Sequence, residues 1–183
     1  KATIYIGTSP HGQGHETTMA QLVSSELGIP IEDIEVLHGD TDMGQFGTGT
    51  FGSRSIAVGG AALFNSLQKV KAKTHRLASH LLEADPKFVT FSNGTFAVED
   101  IADKTLTIQE VAGQAYAAAN LPPGMEPGLE EVSFFDPQNF AWPNGTHLCV
   151  VEVDQDTGKV EVQRYVAVDD FGNVLNPMIV DGM

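Results

Sequence analysis

Residues 7–27 read GTSPHGQGHETTMAQLVSSEL, a glycine- and histidine-rich loop set between two elements of regular structure. Before it, residues 2–6 (ATIYI) carry the β-branched and aromatic content of a short strand. After it, Met19, Leu22, Val23 and Leu27 recur at helical spacing and predict a helix over 18–27, stopped by Gly28 and Pro30. The loop therefore feeds a helix N-terminus. Gly12 and Gly14 allow a tight turn and close approach of backbone to a ligand, and Glu16, Thr17 and Thr18 are expected to cap the first free N–H groups. Free N–H groups and the positive end of the helix dipole suit an oxyanion, to which Gln13 and His15 add directed hydrogen bonds. Alone the loop is neither GxGxxG nor GxxxxGK[ST], and a purely structural turn explains it better than a ligand site.

A second loop changes that balance. Residues 47–62, GTGTFGSRSIAVGGAA, again run into a helical pattern, through Leu63, Leu67, Val70, Leu77 and Leu81. Thr48, Thr50, Ser53 and Ser55 offer hydroxyls, and Arg54 a bidentate cation for phosphate. Serine capping and close packing through Gly59, Gly60 and Ala61 account for the small residues, but less well for an arginine inside the turn.

Four segments together, GTSPHGQGHETTMAQ, LGIPIEDIEVLHGDTD, GTGTFGSRS with its GGAA, and VAVDDFGNVLNP, resemble the large molybdenum subunit of the xanthine dehydrogenase and aldehyde oxidase family. Within it the sequence is most similar to the aerobic carbon monoxide dehydrogenase branch. The resemblance implies a mixed α/β (α+β) fold, part of a molybdopterin-binding domain, whose cofactor in this branch is molybdopterin cytosine dinucleotide. By position it places Gln13 toward the oxo or sulfido ligands of molybdenum, as the one residue with a catalytic role, with Gly12, Gly14 and His15 beside it. Thr50, Phe51, Gly52, Ser53, Arg54 and Ser55 then hold the pterin and phosphate end, and Asp40 and Thr41 lie near the nucleotide. It further implies iron–sulfur and flavin (FAD) partner subunits, and oxidation of a small substrate with oxygen derived from water. The family's large subunit is several times longer, and its catalytic glutamate lies downstream. The chain thus reads as a fragment that does not turn over substrate alone: one domain over 1–183, with a core (1–119), an irregular arm (120–146) and a C-terminal hairpin (147–183). The alternative is a non-catalytic cofactor-binding or subunit-assembly module.

The net charge of −14 argues against nucleic-acid or membrane-surface partners, which require basic patches. No apolar run reaches membrane-span length and no leader is evident, so a cytoplasmic protein is expected. The single cysteine, Cys149 in HLCVVEV, excludes an internal disulfide and is expected to be a buried thiol. No metal site made by the protein itself is expected: His11 and His15 lack a third ligand, and Asp40 and Asp42 read as a capped turn.

Along the remainder, residues 34–38 (IEVLH) alternate as a strand, and residues 55–83 predict one uninterrupted helix ended by Asp85-Pro86. Its Lys69, Lys71, Lys73, His75, Arg76 and His80 read as a solvated face. Residues 88–91 and 95–98 form a hairpin about Asn93-Gly94, and Thr107 with Glu110 opens a helix over 107–119. The proline-rich stretch 120–144 carries Phe134, Phe135, Phe140 and Trp142, which need a covering surface and mark it as a candidate interface. Residues 147–154 and 159–168 pair as a last hairpin, Asp169 and Asp170 read as turn caps, and Asn93 and Asn144 as turn residues rather than glycan acceptors.

Overall fold

The structure, a computed structural model, describes residues 1–44 and 46–182 and separates into two compact units, residues 1–137 and 138–183. Gln45, at the end of the GDTDMGQ segment, and Met183 lie outside the described residues.

The first unit opens with β1 (Ala2–Ile6), α1 (His15–Leu27) and β2 (Ile34–His38). The strands pair in parallel, Ala2 opposite Ile34 through Ile6 opposite His38, because the helix returns the chain to the starting edge. α1 begins three residues earlier than its apolar spacing predicts, at His15, and ends as expected on Gly28 at φ 64°. That glycine is required sterically: a Cβ there would lie 2.1 Å from the Gly94 nitrogen.

The predicted uninterrupted helix over 55–83 opens instead with a π-helical turn, Ser55–Gly60, before regular α2 (Ala61–Leu81). A Cβ on Gly60 would sit 2.6 Å from Ile56 Cδ1, and one on Gly59 would sit 2.9 Å from Thr8 Cγ2. The glycine pair thus lets the wide turn close against the strand-loop junction. Beyond Asp85, which caps a short 3₁₀ turn at Pro86–Phe88, β3 (Val89–Ser92) and β4 (Thr95–Val98) form the expected hairpin. Its two-residue turn, Asn93 (φ 47°) and Gly94 (φ 76°), has both residues left-handed, which matches strand twist.

A third antiparallel strand, β5 (Thr105–Thr107), was not expected. At three residues it is too short for alternation to register. It leads into α3 (Ile108–Ala117), where the predicted capping box is present: the Thr107 hydroxyl accepts from Glu110 N at 3.2 Å and Glu110 accepts from Thr107 N at 2.7 Å.

The core joins these pieces. Met19, Val23 and Leu27 of α1, Leu67, Leu77 and Ala78 of α2, Phe96 and Val98 of β4, and Ile108, Val111 and Ala115 of α3 are buried together. The basic residues of α2 are not simply solvated. Lys71 pairs with Glu26 at 2.9 Å, Lys69 donates to the Val132 carbonyl at 2.6 Å, and Arg76 to the Pro123 carbonyl at 2.6 Å. Lys71 ties α2 to α1, while Lys69 and Arg76 strap the irregular segment to α2, with Leu121, Met125 and Leu129 packed on the core.

The second unit is a hairpin of β6 (Asn144–Val153) and β7 (Val160–Asp170), followed by α4 (Pro177–Gly182). Asn144 starts a strand and is not a turn residue as expected. The Asp154 carboxylate closes the 154–159 turn by accepting from Thr157 N at 2.7 Å, and Asp170 accepts from Gly172 N at 3.0 Å, the predicted capping role. Cys149 is exposed in this chain, against the expectation of a buried thiol, because the hairpin carries no covering layer of its own among the described residues. No helix among the described residues is long and apolar enough to cross a membrane.

Candidate functional site

The two glycine loops meet backbone to backbone. A Cβ on Gly47 would lie 2.3 Å from the Gly7 carbonyl oxygen and 2.4 Å from its Cα, and one on Gly7 would lie 2.7 Å from Gly47 Cα. Only glycine at both positions allows this crossing. Hydrogen bonds extend it: Gly49 N donates to Gly7 O at 3.2 Å, Ser9 N to Thr50 Oγ1 at 3.2 Å, and Ser55 Oγ to Thr50 Oγ1 at 3.0 Å. The loop after β2 joins the same junction, since the position of a Cβ on Gly39 is 3.1 Å from Ser9 Oγ. Ser9 therefore touches both neighbouring loops. Neither it nor Thr8 stood out in the sequence, where small polar residues after a strand carry no distinguishing pattern.

The N-terminus of α1 opens at this junction without a side-chain cap. Gly14 takes the N-cap position at φ 70°, and the expected caps do something else. Thr18 Oγ1 donates back to Gly14 O at 3.1 Å, and Glu16 accepts from His38 Nε2 at 2.7 Å. Because Gly14 starts the helix earlier than predicted, residues 16–18 already lie inside its first turn, where they cannot fold back as caps. The Glu16 carboxylate takes its own backbone N–H, and the other first-turn N–H groups carry no side-chain cap and suit an anion.

Gln13 accepts from the His11 N–H through its side-chain oxygen, which leaves its NH₂ as the donor of that amide. Gly12 (φ 101°), Gly49 (φ 74°) and Gly52 (φ 60°) have nothing within 4 Å of where a Cβ would stand. In the second loop Ser53 is also left-handed at φ 53°, and the Arg54 guanidinium lies over the Phe51 ring, 5.0 Å from its centroid. No carboxylate among the described residues pairs with Arg54. Asp40 and Thr41 are exposed, and Asp40 accepts from Asp42 N at 2.8 Å, the capped turn expected of them.

Three polar atoms near the junction are buried without a partner: Thr8 Oγ1, His15 Nδ1 and His38 Nδ1. Burial, the larger influence, holds the His15 imidazole below its ordinary pKa despite nearby Glu16. Uncapped N–H groups, clustered hydroxyls, a guanidinium without a carboxylate partner and the Gln13 amide form a donor set suited to a polyanion with polar ring edges. The molybdopterin cofactor fits that description. No group of three or more His, Cys, Asp or Glu among the described residues is placed to hold a metal ion.

The whole chain, residues 1–183, matches the molybdopterin cofactor-binding domain family and belongs to it. It is 45% identical over 177 residues to the carbon monoxide dehydrogenase large chain of Hydrogenophaga pseudoflava, covering 97% of this chain and 22% of that one. It is 35% identical over 181 residues to the nicotine 6-hydroxylase large subunit of Paenarthrobacter nicotinovorans, covering 98% of this chain and 22% of that subunit. A crystal structure of Cu,Mo-CO dehydrogenase in its carbon monoxide reduced state superposes with a TM-score of 0.89 at 42% identity, over 97% of this chain and 22% of the other. The chain thus corresponds to about a fifth of the length of these relatives, and the mixed helix-and-strand fold is that of the matching part of a molybdenum enzyme large chain.

Proposed function

We propose that this chain supplies two of the loops that grip the molybdopterin cofactor in the large subunit of a molybdenum hydroxylase, with the cytosine dinucleotide form as its ligand. The observation that carries this is the Gly7–Gly47 crossing beside an uncapped helix N-terminus, a cradle built from backbone donors. The uncapped N–H groups of α1 and the hydroxyls of Thr50 and Ser53 would take pyrophosphate oxygens, Ser55 would hold Thr50 in place through its own O–H, and Arg54 would balance the charge. Gly12, Gly14 and His15 would line the pterin side with Phe51 and Gly52. Asp40 and Thr41 would lie toward the nucleotide. Gln13, with its oxygen already engaged by the His11 N–H, would present its NH₂ as a neutral donor to an acceptor atom at the metal. The bound group supplies the redox chemistry that oxidises a small substrate with oxygen from water.

The proposal extends to a complex in which iron–sulfur and flavin subunits carry the electrons away, in the cytoplasm. Substrate remains a choice among carbon monoxide, aldehydes and heterocycles, since relatives named for carbon monoxide and for nicotine are both similar to this chain. The test is metal and nucleotide analysis of the full-length large subunit purified with its partners. About one molybdenum and one cytidine nucleotide per large subunit supports the reading. Neither in a folded, correctly assembled complex overturns it and leaves an assembly module.

A further inference from the structure

The Glu16–His38 pair joins the first turn of α1 to the end of β2, the two elements whose loops meet at the junction. His38 ends β2, directly before Gly39, whose neighbour across the junction is Ser9. Glu16 occupies the first turn of α1. Their Nε2···Oε1 separation is 2.7 Å, with 23% of the histidine side chain and 51% of the glutamate side chain exposed. The Glu16 carboxyl is held below its ordinary pKa, first by a backbone N–H and then by His38, so it is a carboxylate and only accepts. Nε2 of His38 must then carry the shared proton. The second ring nitrogen, Nδ1, is buried and has no partner. His15, close enough to interact electrostatically with His38, also has a buried Nδ1 without a partner.

A buried, unpaired ring nitrogen is unfavourable unless something outside the chain meets it. We propose that His38, oriented by Glu16, is a further cofactor-binding residue whose Nδ1 makes one hydrogen bond to the nucleotide portion of the bound dinucleotide. Glu16 is the positioning residue: it fixes the ring so that Nδ1, rather than Nε2, faces the ligand. The inference rests on the cofactor reading proposed above.

The test uses the full-length large subunit in its complex and three variants, His38→Gln, His38→Asn and Glu16→Gln. Glutamine places its amide near Nε2 and keeps the Glu16 contact while losing the atom at Nδ1; asparagine does the reverse. The readouts are nucleotide and molybdenum retained after gel filtration, the rate of nucleotide loss on dilution, and the melting temperature of the cofactor-depleted protein. The expected result is nucleotide loss about tenfold faster in His38→Gln, the effect of one ordinary hydrogen bond. His38→Asn should stay within about threefold of wild type, with depleted-protein melting unchanged in both. Glu16→Gln, which keeps the His38 ring and disturbs only its positioning contact, should match His38→Asn. Equal retention in all four proteins, or losses that follow the depleted-protein melting temperature alone, would overturn the proposal while leaving the cofactor reading intact. A wild-type complex without pterin or nucleotide would overturn both.

Discussion

Single atoms decide much of this site, and glycines show it best. Gly47→Ala drives a methyl group to 2.3 Å from the Gly7 oxygen, so the loops must part; cofactor content of the full complex, measured as molybdenum per subunit, should fall several-fold. Gly113, in the exposed middle of α3, has nothing within 4 Å of its Cβ position and no unusual dihedral. Gly113→Ala should therefore stabilise the protein by about 0.5–1 kcal/mol in denaturant titration, since a helix interior favours alanine. The sequence displayed Gly12, Gly14, Gly49 and Gly52 as loop formers, but not that Gly7 and Gly47 touch. Residues forty apart reveal contact only in three dimensions. The capping expectation failed for a related reason: a left-handed Gly14 replaces the side-chain cap outright, and nothing in HETT signals that choice.

Elements were more legible where local rules act alone. The Asn93-Gly94 hairpin and the Thr107–Glu110 box each depend on residues within four positions, and both formed as their chemistry dictates. Thr107→Ala removes the hydroxyl that receives Glu110 N and should cost about 1 kcal/mol, read as a lower unfolding midpoint. Glu110 adds a pH dependence. The Thr107 backbone N–H, then its hydroxyl, hold this carboxyl below its ordinary value of 4.5. Its stabilising share is complete above that value and is lost as pH falls through the lower folded one. Amide protection in the first turn of α3 should drop over that acidic window in wild type and not in Glu110→Gln. What the local rules missed was the π-helical opening of α2, whose Gly59 packs against Thr8 of the first loop, a contact between residues about fifty apart that local spacing does not report. Leu77, fully buried in the core of the first unit, was legible as core from spacing; Leu77→Ala should cost about 3 kcal/mol.

At the scale of the molecule, the aromatic side chains set the pattern. Phe134 is 68% exposed in the first unit, and Phe140 and Trp142 are 80% and 75% exposed in the second. Valines on both strands of the β6–β7 hairpin are exposed as well, from 36% at Val166 to 68% at Val168. Surfaces of this kind are covered in a working protein. Trp142→Ser should leave the first unit's unfolding unchanged and reduce recovery of the assembled complex, checked by the ratio of subunits after affinity purification. Sequence reasoning could assign the arm a covering partner because aromatics do not stay wet, yet it misjudged Cys149, since a lone strand pair cannot bury what its sequence marks as apolar. The Gly7–Gly47 crossing also has a meaning for descent. A side chain at either position would force both loops to be rebuilt, so the two positions are expected to be inherited as one character. Such a pair of sites would date the loss of a cradle more sharply than the drift of any single motif.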